Sequence, residues 1–461
     1  MSQLQSVAFE RLSQVAECLG GELVGEDVPF SGVSIDSRTL TSGALFFALQ
    51  GPNFDGSRFL HQAKAAGAVA AVVQQQQEAS ALPQIIVEES RVALGQFAAA
   101  WRAQFEIPLL ALTGSNGKTT LKEMVTAILQ CSGRGTMTEG NLNNEIGVPL
   151  TLLQISAEDR WAVVEMGARA IGDIALLCTM AQPTIALVNN IGSAHLGEFG
   201  SIAHTVEAKG EVYSGLRADG IALIHQDQPH ASRWHELARG RHVETYGACS
   251  EERDPPLMVC SAGESQIEQS PLLLRHQRQQ ISVQLPLLGD HNRINALAAA
   301  ALALQAGATL EEVKQGLESV RPVAGRLEPK AGRSGSTVID DSYNANPESM
   351  KSGIRVLSSF TGLRVLVVGS MGELGSDAPR LHREIGAFAH AEGVDRLFAV
   401  GRYGGDVVAG FGEGGAVFES IEPLLDQLER LLQRQPTILV KGSRAMRMER
   451  VVHHLVERTA R

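Results

Sequence analysis

The chain has 461 residues, 44% apolar and 20% charged, with a formal net charge of −11. That length exceeds one ordinary domain, and 47 glycines suit an α/β protein with many strand-to-helix turns. The acidic balance, unrelieved by any basic block, excludes nucleic acid as the main partner. No apolar run approaches the roughly 20 residues that span a bilayer, so no membrane insertion is expected.

The N-terminus lacks the basic-then-apolar order of a signal peptide. The five cysteines, Cys18, Cys131, Cys178, Cys249 and Cys260, show no paired spacing. Free thiols in a reduced cytoplasm are expected, with no metal knuckle. Residues 1–85 read as a small α/β unit. Leu4, Val7, Leu12, Val15 and Leu19 suit one or two short helices stopped by Gly20 and Gly21. Strands are expected at 32–36, 44–49 and 68–73, a helix at 59–66, and a strand entering the next domain at 84–87. Residues 86–320 alternate strand and helix, with apolar runs at 109–112, 161–164, 185–188 and 221–224. This spacing predicts a mostly parallel sheet covered by helices. Residues 250–285 alternate in polarity and predict an antiparallel excursion, followed by an Ala-rich helix ended by Gly307. Pro322 and Gly325 mark a boundary. Residues 321–461 read as a third, doubly wound domain whose strands, at 337–339, 365–368, 397–400 and 438–440, end in loops.

The central domain carries the densest chemical signal. The apolar run 109–112 leads into Thr113, Gly114, Ser115, Asn116, Gly117, Lys118, Thr119 and Thr120, and a helical pattern follows. Strand, glycine loop and helix together cradle phosphate, because backbone N–H groups converge and the helix N-terminus adds positive potential. Lys118 would reach the β/γ-phosphates and the Thr119 hydroxyl would ligate Mg²⁺. The longer phosphate-loop pattern is incomplete, since Leu112 occupies the place of its first glycine.

Phosphoryl transfer also needs groups that hold metal. Glu165 ends an apolar strand, and His195 follows another. A strand-end glutamate facing water and a structural histidine explain each of them singly. Lys209 lies on a helix between Glu207 and Glu211, where an exposed ion pair is the plain alternative. Asn292 and Asn295 share a helix face and can read a purine edge; helix capping is the alternative for Asn292. Asp341, Tyr343 and Asn346 lie on a strand-end loop before Pro347, which a simple turn explains equally. Arg326, Lys441, Arg444 and Arg447 are cations near domain edges, each readable singly as a solvated charge.

Taken together, the segments TGSNGKTT, GNLNNEIGVP, VEMGA, NNIGSAHLGEFGS, AKGEVYSGL, GDHNRINALAAAA, RPVAGRLE and DDSYNANP resemble, in content and order, those of the Mur ligases. That family joins amino acids or peptides to a UDP-linked sugar peptide at the expense of ATP. DSYNANPESM, SMGELG and VKGSRAMRMERVV are similar to the member that adds a dipeptide; Ser370 departs from the acidic residue expected there.

The resemblance implies three α/β domains: a UDP-binding unit, a phosphate-loop ATPase domain and a Rossmann-like C-terminal domain. It implies UDP-MurNAc-tripeptide and D-alanyl-D-alanine as substrates and ATP with two Mg²⁺ as cofactors; a monomer is expected. It assigns Thr119, Glu165 and His195 to Mg²⁺. Lys209 matches a lysine that relatives carry as a carbamate, able to hold a second ion. Asn292 and Asn295 fall at the adenine end, and Arg326 and Asp341 at the ribose and phosphates. Ser37, Arg38, Asn53, Asp55 and Gly56 fall where the UDP group is held, and Asn143 and Asn144 in a loop that meets the peptidyl substrate.

Overall fold

The protein is described from a computed structural model covering residues 9–192, 201–249, 258–262 and 271–456. Leu4, Val7 and His195 lie outside the described residues. Helix α1 (Leu12–Leu19) buries Leu12, Val15 and Ala16 and ends where Gly20 adopts φ 60°.

Five short strands follow: β1 (Glu22–Val24), β2 (Val33–Ser34), β3 (Leu45–Phe47), β4 (Ala70–Val73) and β5 (Gln84–Ile86). They form a sheet in the order β1-β5-β4-β3-β2. Strand β5, expected to enter the next domain, instead pairs with β4 and β1 inside this sheet. Helix α2 (Ser90–Arg102) then returns Ala93, Leu94 and Phe97 to the same core. The first unit therefore runs past residue 85, because its hydrophobic face needs α2 as a cover.

The central sheet has nine strands: β6 (Leu109–Thr113), β7 (Thr136–Met137), β8 (Ala162–Glu165), β9 (Ile185–Val188), β10 (Ile221–His225), β11 (His242–Ala248), β12 (Val259–Ala262), β13 (Leu272–His276) and β14 (Gln279–Val283). Their order is β14-β13-β12-β11-β10-β9-β6-β8-β7, parallel except for the β12-β13-β14 meander. The antiparallel excursion is thus present. Alternate residues of β6 face opposite layers: Leu110 and Leu112 meet helix α3 (Lys118–Gln130), and Leu109 and Ala111 meet helix α4 (Ile202–Ser214). Helix α5 (Asp290–Gln305) is the Ala-rich segment; its run Ala296–Ala303 is buried against the α3 layer. Cys249 and Cys260, expected as free thiols, form a disulfide; adjacent strands bring their Cα atoms within 5.0 Å although 11 residues separate them in sequence.

Irregular chain leads from Val320 to the third sheet, made of β15 (Glu328–Ala331), β16 (Thr337–Asp341), β17 (Arg364–Gly369), β18 (Arg396–Val400), β19 (Gly415–Phe418) and β20 (Thr437–Lys441). The order is β15-β16-β20-β17-β18-β19, all parallel except the edge strand β15. The carboxyl ends of β6, β8 and β9 and those of β16 and β20 open into one cavity of about 1360 Å³, at the switch points where open parallel sheets bind ligands.

Candidate active site

Thr113 ends β6, and the chain turns through Gly114 at φ 152° and Gly117 at φ 77°. A side chain at Gly117 would sit 2.9 Å from Asn295 Oδ1, so both backbone angle and space demand glycine. Helix α3 starts at Lys118, which points its N-terminus into the cavity. The half-buried Lys118 ammonium folds back onto Gly114 O at 2.7 Å and Ser115 O at 3.4 Å, and desolvation lowers its pKa.

Beneath the loop the Thr119 hydroxyl donates to Glu165 Oε2 at 3.1 Å, and Asn143 Nδ2 donates to Glu165 Oε1 at 2.7 Å. Glu165 is almost fully buried, so it does not face water as a simple strand end would. Its backbone N–H donates to Thr138 Oγ1 at 3.0 Å. From across the domain interface Arg326 Nη2 donates to Thr119 Oγ1 at 3.2 Å. A hydroxyl and a carboxylate side by side are the hard oxygen donors that Mg²⁺ takes, alongside phosphate oxygens and water. Among the described residues no group of three or more His, Cys, Asp or Glu is placed to hold a metal ion.

Lys209 is buried on α4, not exposed. Its neighbours are committed elsewhere: Glu207 pairs with Arg233 at 2.7 Å, and Glu211 accepts from Gly172 N and Ala175 N. Burial, with the nearby Lys118 charge, pushes its pKa down to about 7.

Asn292 lies inside α5 and does not cap it; the N-cap is Gly289. Asn292 Nδ2 donates to Leu288 O at 2.7 Å, Asn295 Nδ2 to Asn292 Oδ1 at 3.1 Å, and Asn189 Nδ2 to Asn295 Oδ1 at 2.8 Å. Both line the cavity, yet Asn295 is engaged at each end of its amide. Asp341 is also committed: Oδ2 pairs with Lys441 Nζ at 2.6 Å and Oδ1 accepts from Leu327 N at 3.3 Å. Burial raises its pKa against the pull of Lys441. Lys441, readable from sequence as a solvated charge, is buried at the end of β20. Tyr343 lies between two guanidinium groups, Arg326 at 4.3 Å and Arg444 at 5.7 Å from its ring. Arg447 does not line the cavity.

Asn143 and Asn144 line the cavity, and Asn144 Oδ1 accepts from Gly147 N at 2.9 Å, at the start of the helix Gly147–Leu152. Ser37, Arg38, Asn53, Asp55 and Gly56 belong to the first domain and do not line this cavity. Arg38 pairs with Asp36 at 2.6 Å, which holds that carboxyl at a pKa of about 2, and Asp55 caps the turn Gly56–Phe59. Sequence reasoning passed over Asn189, Asn190, Lys122 and His291, all close to this machinery. The NNIG segment contained the first two, but nothing in its composition announced their partners.

Three family descriptions match the chain: Mur ligase middle domain over 112–303, Mur ligase glutamate ligase domain over 325–444, and Mur ligase family catalytic domain over 29–102. The UDP-N-acetylmuramoyl-tripeptide–D-alanyl-D-alanine ligase of Escherichia coli strain K12 is 43% identical over 97% of this chain and 98% of its own. The chain belongs to the Mur ligase family. Among solved Mur ligases, MurF from Acinetobacter baumannii superposes with a TM-score of 0.88 at 33% identity, covering 97% of this chain and 99% of that one. MurF from Thermotoga maritima in complex with ADP gives 0.80 at 28% identity, covering 92% and 96%. The three-domain architecture of Mur ligases is the one described above.

Proposed function

We propose that this Mur ligase adds D-alanyl-D-alanine to UDP-MurNAc-tripeptide at the expense of ATP, giving the UDP-linked pentapeptide of peptidoglycan synthesis. One observation carries the reading. A phosphate loop and the cations and carboxylate of a second domain (Arg326, Asp341 and Lys441) face one cavity of about 1360 Å³. That is the space in which a phosphoryl donor and two acceptors must meet.

The tripeptide carboxylate attacks the γ-phosphorus, the bond to the bridging oxygen breaks, and ADP leaves with those electrons. The product is an acyl phosphate. The dipeptide amine attacks its acyl carbon, loses a proton, and the tetrahedral centre collapses with expulsion of phosphate. Lys118 offsets charge where two anions approach, and the helix N-terminus holds the phosphates in line. Arg326 presents its guanidinium to the same oxygens from the third domain. The walls supplied by Tyr343, Asn344 and Asn346 keep water from the acyl phosphate.

Thr119 and Glu165 would hold Mg²⁺, which when bound neutralises phosphate charge. His195 belongs to the same proposed set. Lys209 is suited to carbamylation: a buried amine with a pKa near 7 adds to CO₂, forming N–C and releasing one proton. The anionic carbamate would serve a second ion. Ser37, Arg38, Asn53, Asp55 and Gly56 are assigned to the UDP group, and Asn143 and Asn144 to the loop that meets the peptidyl substrate. Asn292 and Asn295 are assigned to the adenine end of the nucleotide. A first division beyond α2, a second at residue 320, a monomer and a cytoplasmic setting complete the reading. Among the described residues no helix is long and apolar enough to cross a membrane.

The test is phosphate release from Mg·ATP with each co-substrate omitted in turn. Release should require both, and the product should gain the mass of one dipeptide. Release indifferent to either would refute the reaction. For Lys209, a ¹³C signal from labelled bicarbonate should appear in the wild type and vanish in Lys209→Arg.

A further inference from the structure

Asn116, at the tip of the phosphate loop, has three of its polar groups taken by asparagine amides. Its N–H donates to Asn190 Oδ1 at 2.8 Å. Its carbonyl accepts from Asn190 Nδ2 at 2.9 Å and from Asn189 Nδ2 at 3.1 Å. Its side-chain Oδ1 accepts from Asn346 Nδ2 at 2.7 Å, across the interface with the third domain and 230 positions along the chain. Asn189 also donates to Asn295, and Asn295 to Asn292. A run of amides therefore leads from α5, around the loop, to the third domain.

The orientation at the interface is fixed by a second bond. Asn346 is the N-cap of α6 (Pro347–Ser358), and its Oδ1 accepts from Ser349 N at 2.9 Å. Only its amide nitrogen is left to face Asn116, so Asn116 must present oxygen there. One side chain thus starts a third-domain helix and grips the loop tip. An amide suits the place. A carboxylate would oppose the phosphates beside Lys118, and an ammonium would compete with Lys118 for them; a neutral amide ties the domains without either cost.

We propose that Asn346 is a positioning residue that couples docking of the third domain to nucleotide binding by fixing Asn116. Binding and docking then favour each other by the same factor. This rests on the reading of residues 114–120 as the nucleotide's phosphate site, and not on the identity of the acceptor.

Asn346→Ser retains a capping oxygen but is too short to reach Asn116. Asn116→Ser removes the acceptor and leaves all three backbone bonds. Calorimetric titration with Mg·ADP alone, on the full chain, reads the coupling. Each single variant should weaken ADP binding about fivefold, the share of one neutral hydrogen bond, with an unchanged melting temperature. The double variant should bind no worse than the weaker single, because both remove the same bond. Wild-type affinity in Asn346→Ser, or losses that multiply in the double variant, would overturn the proposal. Wild-type protein that fails to bind ADP would instead remove the nucleotide reading, and the proposal with it.

Discussion

Replacing Lys441 with Met tests how the third-domain wall of the cavity is held. The ammonium sits 2.6 Å from Asp341 Oδ2 and 2.9 Å from Asn344 O, with its side chain only 2% exposed and that of Asp341 11% exposed. Methionine keeps the volume of the stem but strands a buried carboxylate. Breaking a buried pair from one side costs about 3–5 kcal/mol, since the surviving charge keeps its desolvation penalty without its partner. Asp341→Asn in the Lys441→Met background removes that charge and should return most of the loss. The pH dependence has a defined sign. Burial already raises the Asp341 pKa against the pull of Lys441, and without Lys441 it rises further. The folded state then holds a proton that the unfolded chain has released, so stability falls as pH rises through that window. The deficit of Lys441→Met should be smaller near about pH 5 than near about pH 7. Hydrogen exchange of the β16 and β20 amides in increasing urea measures the local free energy without assuming that three domains unfold together. A single-variant cost below about 1 kcal/mol, or a double variant no more stable than the single, would refute the reasoning.

Lys122→Met removes bonds from a fully buried ammonium to Thr138 O at 2.6 Å and Gly140 O at 3.3 Å, in the segment that supports Glu165 through Thr138 Oγ1. It should raise the Mg²⁺ concentration needed for half-maximal phosphate release several-fold, and a Mg²⁺ titration checks this. His382 accepts from Met371 N at 2.9 Å and meets Ala378 O through its other nitrogen, which requires the neutral ring; burial lowers its pKa. Between its folded and unfolded pKa values the unfolded chain binds more protons, so its stabilising share is lost as pH falls below about 6.5, and His382→Gln should flatten that acid slope in thermal melts. Gly386→Ala would place a methyl 1.9 Å from Val407 O, where helix α7 (Ala378–Ala391) crosses α8 (Gly404–Phe411). Its melting temperature should fall by several degrees, about 1–3 kcal/mol of overpacking, while an exposed control such as Gly405→Ala should melt as the wild type does.

Local pattern determined a large part of this protein. Apolar runs of strand length that lead into polar or glycine-rich loops announced parallel sheets with loops at one edge, because burial on two faces leaves continuous hydrophobic strands. The phosphate loop was legible because its glycines answer a backbone requirement set within a few residues. The motif order was legible for the same reason, and it named the family before any distance was known. Tertiary structure decided what depends on neighbours far apart in the chain. Whether Lys209 and Lys441 are solvated or buried, whether Asn292 caps a helix or braces one, and whether two cysteines 11 residues apart meet are settled by what packs against them. Residue 85 looked like a boundary because a strand ended there, yet that strand's partners were β4 and β1 and its cover was α2. The asparagine brace is the clearest case. An amide carries no charge and little hydrophobicity, so Asn189, Asn190 and Asn346 leave no periodic trace. Their role exists only in the hydrogen bonds that the fold brings within reach.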